Sequence, residues 1–157
     1  MKSALAREVL RPIAALAFLV VPLSACPPKM IPHTEIPDTP DNRAIIDVMH
    51  KYREAFQDKD AKPLVQLASP RYLDARDSIG YEMLEKQLQN YFDHVNAIHM
   101  DITPRRIVVE GDHAHVDYIF ALNYLTKALN ARWVSQTDDK RMTLEKENGV
   151  WRVTSGY

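Results

Sequence analysis

The sequence predicts an α+β domain, with three helices on its N-terminal side and a run of antiparallel strands closing the chain. Three observations predict this. Apolar residues recur at helical spacing from residue 45 to residue 95, they switch to alternation after residue 96, and turn signals separate the alternating runs. Helices and strands that are segregated along the chain point to α+β architecture rather than to repeated βαβ units. A curved sheet wrapped around the helices is the economical solution, because one face of the strands is apolar and the other mostly polar.

The first helix is expected to begin at Thr39-Pro40-Asp41. Thr39 can cap it, Pro40 suits the first helical position, and Asp41 complements the positive end of the helix dipole. Ile45, Met49, Tyr52 and Phe56 then share one face over about 18 residues. Asp58-Lys59-Asp60 breaks the helix, and Asp60 can cap a short second one that tolerates Pro63 in its first turn and ends at Pro70. Arg71 to Arg76 reads as a short strand. Ser78 is expected to cap a third helix, with Glu82 in its first turn and Leu84, Leu88, Tyr91, Phe92 and Val95 on one side.

Alternation follows. Ile98, Met100 and Ile102 form one run, Pro104 interrupts it, and Ile107 to Val109 resumes it before the turn at Glu110-Gly111-Asp112. The next strand turns Ala114, Val116, Tyr118, Phe120, Leu122 and Tyr124 one way and His113, His115 and Asp117 the other. Arg141 to Glu147 is a further strand. Asn148-Gly149 makes a hairpin turn because both positions accept positive φ. Val150 to Ser155 closes the sheet, with Trp151 and Val153 on one face.

The N-terminus reads as an address. Lys2, Arg7 and Arg11 outweigh Glu8, residues 13–21 are apolar, and small residues follow, in the order of a secretory signal. The apolar run is far short of the roughly 20 residues that span a bilayer. Leu23-Ser24-Ala25-Cys26 matches the lipobox of bacterial lipoproteins position by position, directly after that run. The resemblance implies that residues 1–25 are removed and that Cys26 carries acyl chains into a membrane. Two or more chains give stable attachment. Pro27, where an Asp would favour inner-membrane retention in enteric bacteria, leans toward the outer membrane, facing the periplasm. The alternative is an ordinary cleaved signal with a free thiol.

Residues 26–40 contain Pro27, Pro28, Pro32, Pro37 and Pro40. The expectation is an extended, semi-rigid tether of about 3.1 Å per residue, reaching roughly 40 Å, with His33 solvated. The globular domain is expected to span 41–157.

That domain resembles the nuclear-transport-factor-two-like superfamily, a cone-shaped α+β fold that includes ketosteroid isomerase, scytalone dehydratase and polyketide cyclases. The tail from Lys140 to Gly156 is similar to the closing hairpin of many bacterial members, and Ala55-Phe56-Gln57-Asp58-Lys59-Asp60 to their junction between the first two helices. The resemblance implies a cone-shaped curved antiparallel sheet around three helices and a pocket between them. Tyr52, Tyr72, Tyr118, Tyr124, Trp133 and Trp151 are either walls of that pocket or core.

Basic and acidic residues nearly balance, at 20 and 21, so the field expected of a nucleic-acid binder is missing. Apolar residues make up 46%, enough for a packed core. The single cysteine forms no internal disulfide. Family isomerases use an aspartate base with a neutral donor in an apolar pocket. The assigned inward strand positions carry no Asp or His, while Asp74 and Asp77 lie near a possible rim. His113, His115 and Asp117 share a strand face and could bind zinc, with His99 or Asp101 adjacent if the strands pair there. The strand begins just after a turn, where a solvated face is expected, and dimerisation is the competing use of that outer face, so no metal is expected. Arg105-Arg106 and Lys140-Arg141 read as solvated strand ends, with Asp138-Asp139 pairing locally. No cofactor and no catalytic residue is expected. The resulting expectation is a lipid-anchored envelope protein that binds a small apolar ligand or a protein. The alternative is a membrane-anchored isomerase, dehydratase or cyclase.

Overall fold

In the computed structural model, which describes residues 29–76, 78–127 and 129–157, Thr39 caps the first helix as its side chain permits. Its hydroxyl accepts the backbone N–H of Asn42 at 3.1 Å, and α1 runs from Pro40–Gln57. Ile45, Val48, Met49, Tyr52, Ala55 and Phe56 bury one side of it. Lys59 then takes a positive φ, and Asp60 caps α2 (Ala61–Leu67) by accepting the N–H of Lys62.

The third helix departs from expectation at its start. Ser78 does not cap it: Ser78 sits in a turn at φ +54°, and α3 (Tyr81–Asp93) begins after Gly80 without any side-chain cap. The reason is a small hairpin. Leu73–Asp74 (β1) pairs with Ile79–Gly80 (β2), and this takes up the residues that would have formed the helix's first turn.

Four strands follow in an antiparallel meander: β3 (Val95–Glu110), β4 (His113–Thr126), β5 (Trp133–Glu147) and β6 (Val150–Ser155). Pro104 does not interrupt β3. The strand lies at the sheet edge, where a missing N–H is tolerated, and a register shift between Pro104 and Arg106 absorbs it. That bulge also moves the inward phase from Met100 and Ile102 to Ile107 and Val109, so both apolar runs face the helices. β5 begins at Trp133, well before the expected Arg141. Asn148 and Gly149 both have positive φ in the β5–β6 turn.

The sheet curves over α1, and Ile45, Tyr52, Leu64, Met100, Val116, Tyr118, Met142, Leu144 and Val153 are essentially inaccessible between the layers. Burying each such side chain contributes about 1.5–3 kcal/mol. A bridge between Ala68 and Val153, with the N–H of Ser69 donating to the Val153 carbonyl, ties the exit of α2 to the last strand.

Residues 29–39 are not the extended spacer that their prolines suggest. Met30 bridges Pro37, the Ile31 N–H donates to Ile36, and the Asp38 N–H donates to Lys29, closing a hairpin with His33 at positive φ near its tip. Ile36 is 1% exposed. Asp38 pairs with Arg43 and Lys29, and Asn42 donates to the Pro37 carbonyl at 2.8 Å. Proline removes only its own N–H, so a hairpin that needs no donor from Pro32 or Pro37 can form once an isoleucine gains a core position. The folded unit therefore starts before residue 41. Cys26 and the lipobox lie outside the described residues, as do Asp77 and Ala128.

Candidate functional site

A cavity of about 300 Å³ lies between the concave face of the sheet and helices α1 and α3. α1 supplies Tyr52 and Phe56, α3 supplies Leu84, Gln87, Leu88 and Tyr91, and β4 supplies Phe120 and Leu122. Gln136 and Lys140 come from β5, Asp74 and Ile79 from the β1–β2 hairpin, with Tyr72 and Tyr157 completing the wall. The exposed lining is mostly apolar, and the polar groups are few, as is usual for small-molecule sites.

The aromatic wall is a continuous set of ring contacts. Tyr157 stacks on Tyr52 with centroids 4.9 Å apart, and it meets Tyr72 at 5.2 Å. Phe56 contacts Tyr52, Tyr91 and Phe92 at 5.8, 5.6 and 5.2 Å. Burial pushes the hydroxyls of Tyr52 and Tyr157 well above the ordinary phenol range, and that of Tyr91 up to about 12. These groups are neutral hydrogen-bond donors at physiological pH. The Tyr157 hydroxyl donates to the Leu64 carbonyl at 2.8 Å, while the buried Tyr91 hydroxyl has no partner.

Of the six expected pocket residues, Tyr52 and Tyr72 line the cavity. Tyr118 is buried beneath it, donating to the Gly156 carbonyl at 3.1 Å. Tyr124 stands behind Tyr91, with ring centroids 6.3 Å apart. Trp133 is 59% exposed on the other sheet face, because the early start of β5 fixes its parity. Trp151 is buried near the start of α1, where its indole N–H donates to Asp41 Oδ1 at 3.0 Å. Asp74 lines the cavity as the rim reading expects, with Oδ1 accepting the N–H of Arg76.

Lys140 is the residue that sequence reasoning misplaced. It is no solvated strand end. It pairs with Tyr118 across the ladder, shares the concave face, and holds its ammonium 4.6 Å from the centre of the Phe120 ring. Gln136 and Asp138 share that parity. Tyr157 was also missed: Gly156, at φ +95°, bends the chain inward after β6 and so delivers the ring.

The outer face separates the residues considered for zinc. Asp117 is held by Arg141 at 2.7 Å and Arg106 at 3.4 Å, which keeps its carboxyl below the usual range. Two guanidiniums compete with any cation there, so Arg106 and Arg141 are ion-paired rather than merely solvated. His99 and Asp101 pair opposite Asn123 and Ala121, far along the ladder from His113 and His115. Among the described residues, no group of three His, Cys, Asp or Glu side chains could hold a metal.

No protein-family model and no curated protein matches the chain. Solved structures do. A conserved protein from Planctomyces limnophilus superposes with a TM-score of 0.67 at 18% identity, covering 74% of this chain and 92% of that one. A nuclear transport factor 2 (NTF2-like) superfamily protein from Salmonella enterica gives 0.64 at 17%, covering 73% and 87%. The fold is NTF2-like. A ketosteroid isomerase-like protein from Erwinia carotovora gives 0.66 at 16%, covering 75% and 94%. At such identities the likeness is one of NTF2-like architecture, not of activity. In this chain the NTF2-like sheet is a four-stranded curved meander that does not close into a barrel.

Proposed function

We propose that this chain is a lipid-anchored envelope protein, held at the periplasmic side of the outer membrane through acyl chains on Cys26, whose concave cavity binds a small apolar ligand without transforming it. The observation that carries the binding role is the cavity of about 300 Å³, walled by Tyr52, Phe56, Tyr91, Phe120 and Leu122 and bordered by a few polar side chains. The anchoring role rests on Leu23-Ser24-Ala25-Cys26 after an apolar run. Among the described residues no helix is long and apolar enough to cross a membrane. Lys29, where the hairpin begins, is three residues from Cys26. Three residues reach about 10 Å, so on this reading the domain rests close to the lipid rather than on a long stalk.

Native mass spectrometry of the protein extracted from its own membranes in mild detergent tests both parts. The expected result is acyl mass that disappears in Cys26→Ser, together with a bound small molecule. Unmodified Cys26 removes the anchor, and a ligand held equally well after the cavity is filled by Leu122→Trp removes the binding site. The same spectra report subunit number, and a dimer formed through the outer sheet face belongs to this proposal.

A second reading, an isomerase-, dehydratase- or cyclase-like enzyme acting on a hydrophobic substrate, is favoured by one observation. Asp74 places a carboxylate in the same wall as neutral tyrosine hydroxyls, the pairing of base and donor that proton transfer next to a carbonyl needs. Turnover of a cyclic enone that is lost in Asp74→Asn would establish it over simple binding.

A further inference from the structure

Resting on the binding role proposed above, we infer that the cavity selects apolar acids: ligands with an aromatic or aliphatic body and one anionic group that pairs with Lys140. Lys140 is half-buried in the cavity wall, and among the described residues no carboxylate forms an ion pair with it. Its ammonium instead lies over the Phe120 ring, 4.6 Å from the centroid. A ring face is a weaker partner for a cation than a carboxylate is, worth about 0.5–2 kcal/mol, so an anion entering the cavity would outcompete it. Arg141 and Arg106, on the opposite face of the sheet, are by contrast committed to Asp117.

The two acidic neighbours do not fill the role. Asp138 shares the concave parity but is exposed and makes no ion pair with Lys140. Asp74 lines the same cavity, but its carboxylate is engaged elsewhere, accepting the N–H of Arg76. The cavity thus offers one uncommitted cation among apolar walls. Charge-assisted hydrogen bonds in such partly desolvated places are roughly twice as strong as neutral ones. The apolar body of the ligand would lie against Phe56, Leu88 and Tyr91.

The test is isothermal titration of the full chain, against a detergent blank, with 2-naphthoate and its neutral analogue 2-naphthamide. The wild type should bind the acid at least about tenfold more tightly than the amide. Lys140→Met should lower naphthoate affinity to the naphthamide level and leave naphthamide unchanged, whereas Lys140→Arg should keep the preference. Equal affinities in the wild type, or a preference that survives in Lys140→Met, overturn the inference. Failure of both probes to bind the wild type overturns the cavity's binding role and this inference with it. Thermal melts of both variants show whether the fold is retained.

Discussion

Tyr157 lies flat on Tyr52, with ring planes 7° apart, and its hydroxyl donates to the Leu64 carbonyl on α2. Tyr157, two residues beyond the last strand, therefore joins α1, α2 and the cavity wall. Tyr157→Phe removes only the hydrogen bond and should cost about 1 kcal/mol. Tyr157→Ala also removes the stacked ring and should cost about 3 kcal/mol. Urea denaturation of the two variants measures the difference.

The approach of Tyr157 depends on Gly156. At φ +95°, a Cβ on residue 156 would stand 2.2 Å from the Arg141 carbonyl oxygen. Gly156→Ala must shift the chain end, disturb the Tyr118 hydroxyl bond to the Gly156 carbonyl, and cost about 2 kcal/mol. A melting temperature equal to wild type would show that residues 156–157 are not docked.

The N-terminal hairpin gives a clean contrast with an extended tether. Ile36→Ala should cost about 2–4 kcal/mol, as expected for a fully buried isoleucine. A tether residue facing water would change stability by no more than about 0.5 kcal/mol. Limited proteolysis of the same variant should cut between residues 29 and 39 faster than in wild type.

Stability should fall at both ends of the pH scale. Burial raises the folded-state values of Tyr52, Tyr157 and Tyr91 above the phenol value of 10.0, so the unfolded chain loses these protons first as pH rises. The stabilisation from neutral hydroxyls is complete below pH 10 and is lost above it, for Tyr91 through about 12. On the acid side, hydrogen bonds from Lys146 and Trp151 hold Asp41 low, those from Ser69 and Arg71 hold Glu147 low, and Arg141 holds Asp117 low. Their contribution is present above the unfolded values of 3.8 and 4.5 and is lost as pH falls through the lower folded ones. Denaturant midpoints from pH 2 to 12, with tyrosinate absorbance on the alkaline side, read both limbs.

Much of the fold was legible because local chemistry and tertiary packing agree. Thr39-Pro40-Asp41 carries a complete helix start, and the alternation of β4 states both faces of the sheet. Where those levels diverge, the sequence is silent or misleading. Residues 135–140 of β5 are polar on both faces, because one side meets solvent and the other meets the cavity mouth, so no period-2 signal marks the strand. Lys140 was lost with it. Pro104 looked like an end because a bulge on an edge strand leaves no compositional trace. The prolines of 29–39 suggested extension because the backbone bonds that close the hairpin, and the burial of Ile36 that goes with them, leave no periodic signal in so short a segment. Gly156 before an aromatic residue was the available hint for Tyr157.

Ring and methyl chemical-shift mapping during a titration with 2-naphthoate asks most directly whether the concave cavity is a binding site. Shifts concentrated on Tyr52, Phe56, Tyr91, Phe120 and Leu122, with His113, His115 and Trp133 on the opposite face unmoved, are the expected outcome. Shifts confined to the outer face, or none at saturating probe, would contradict it.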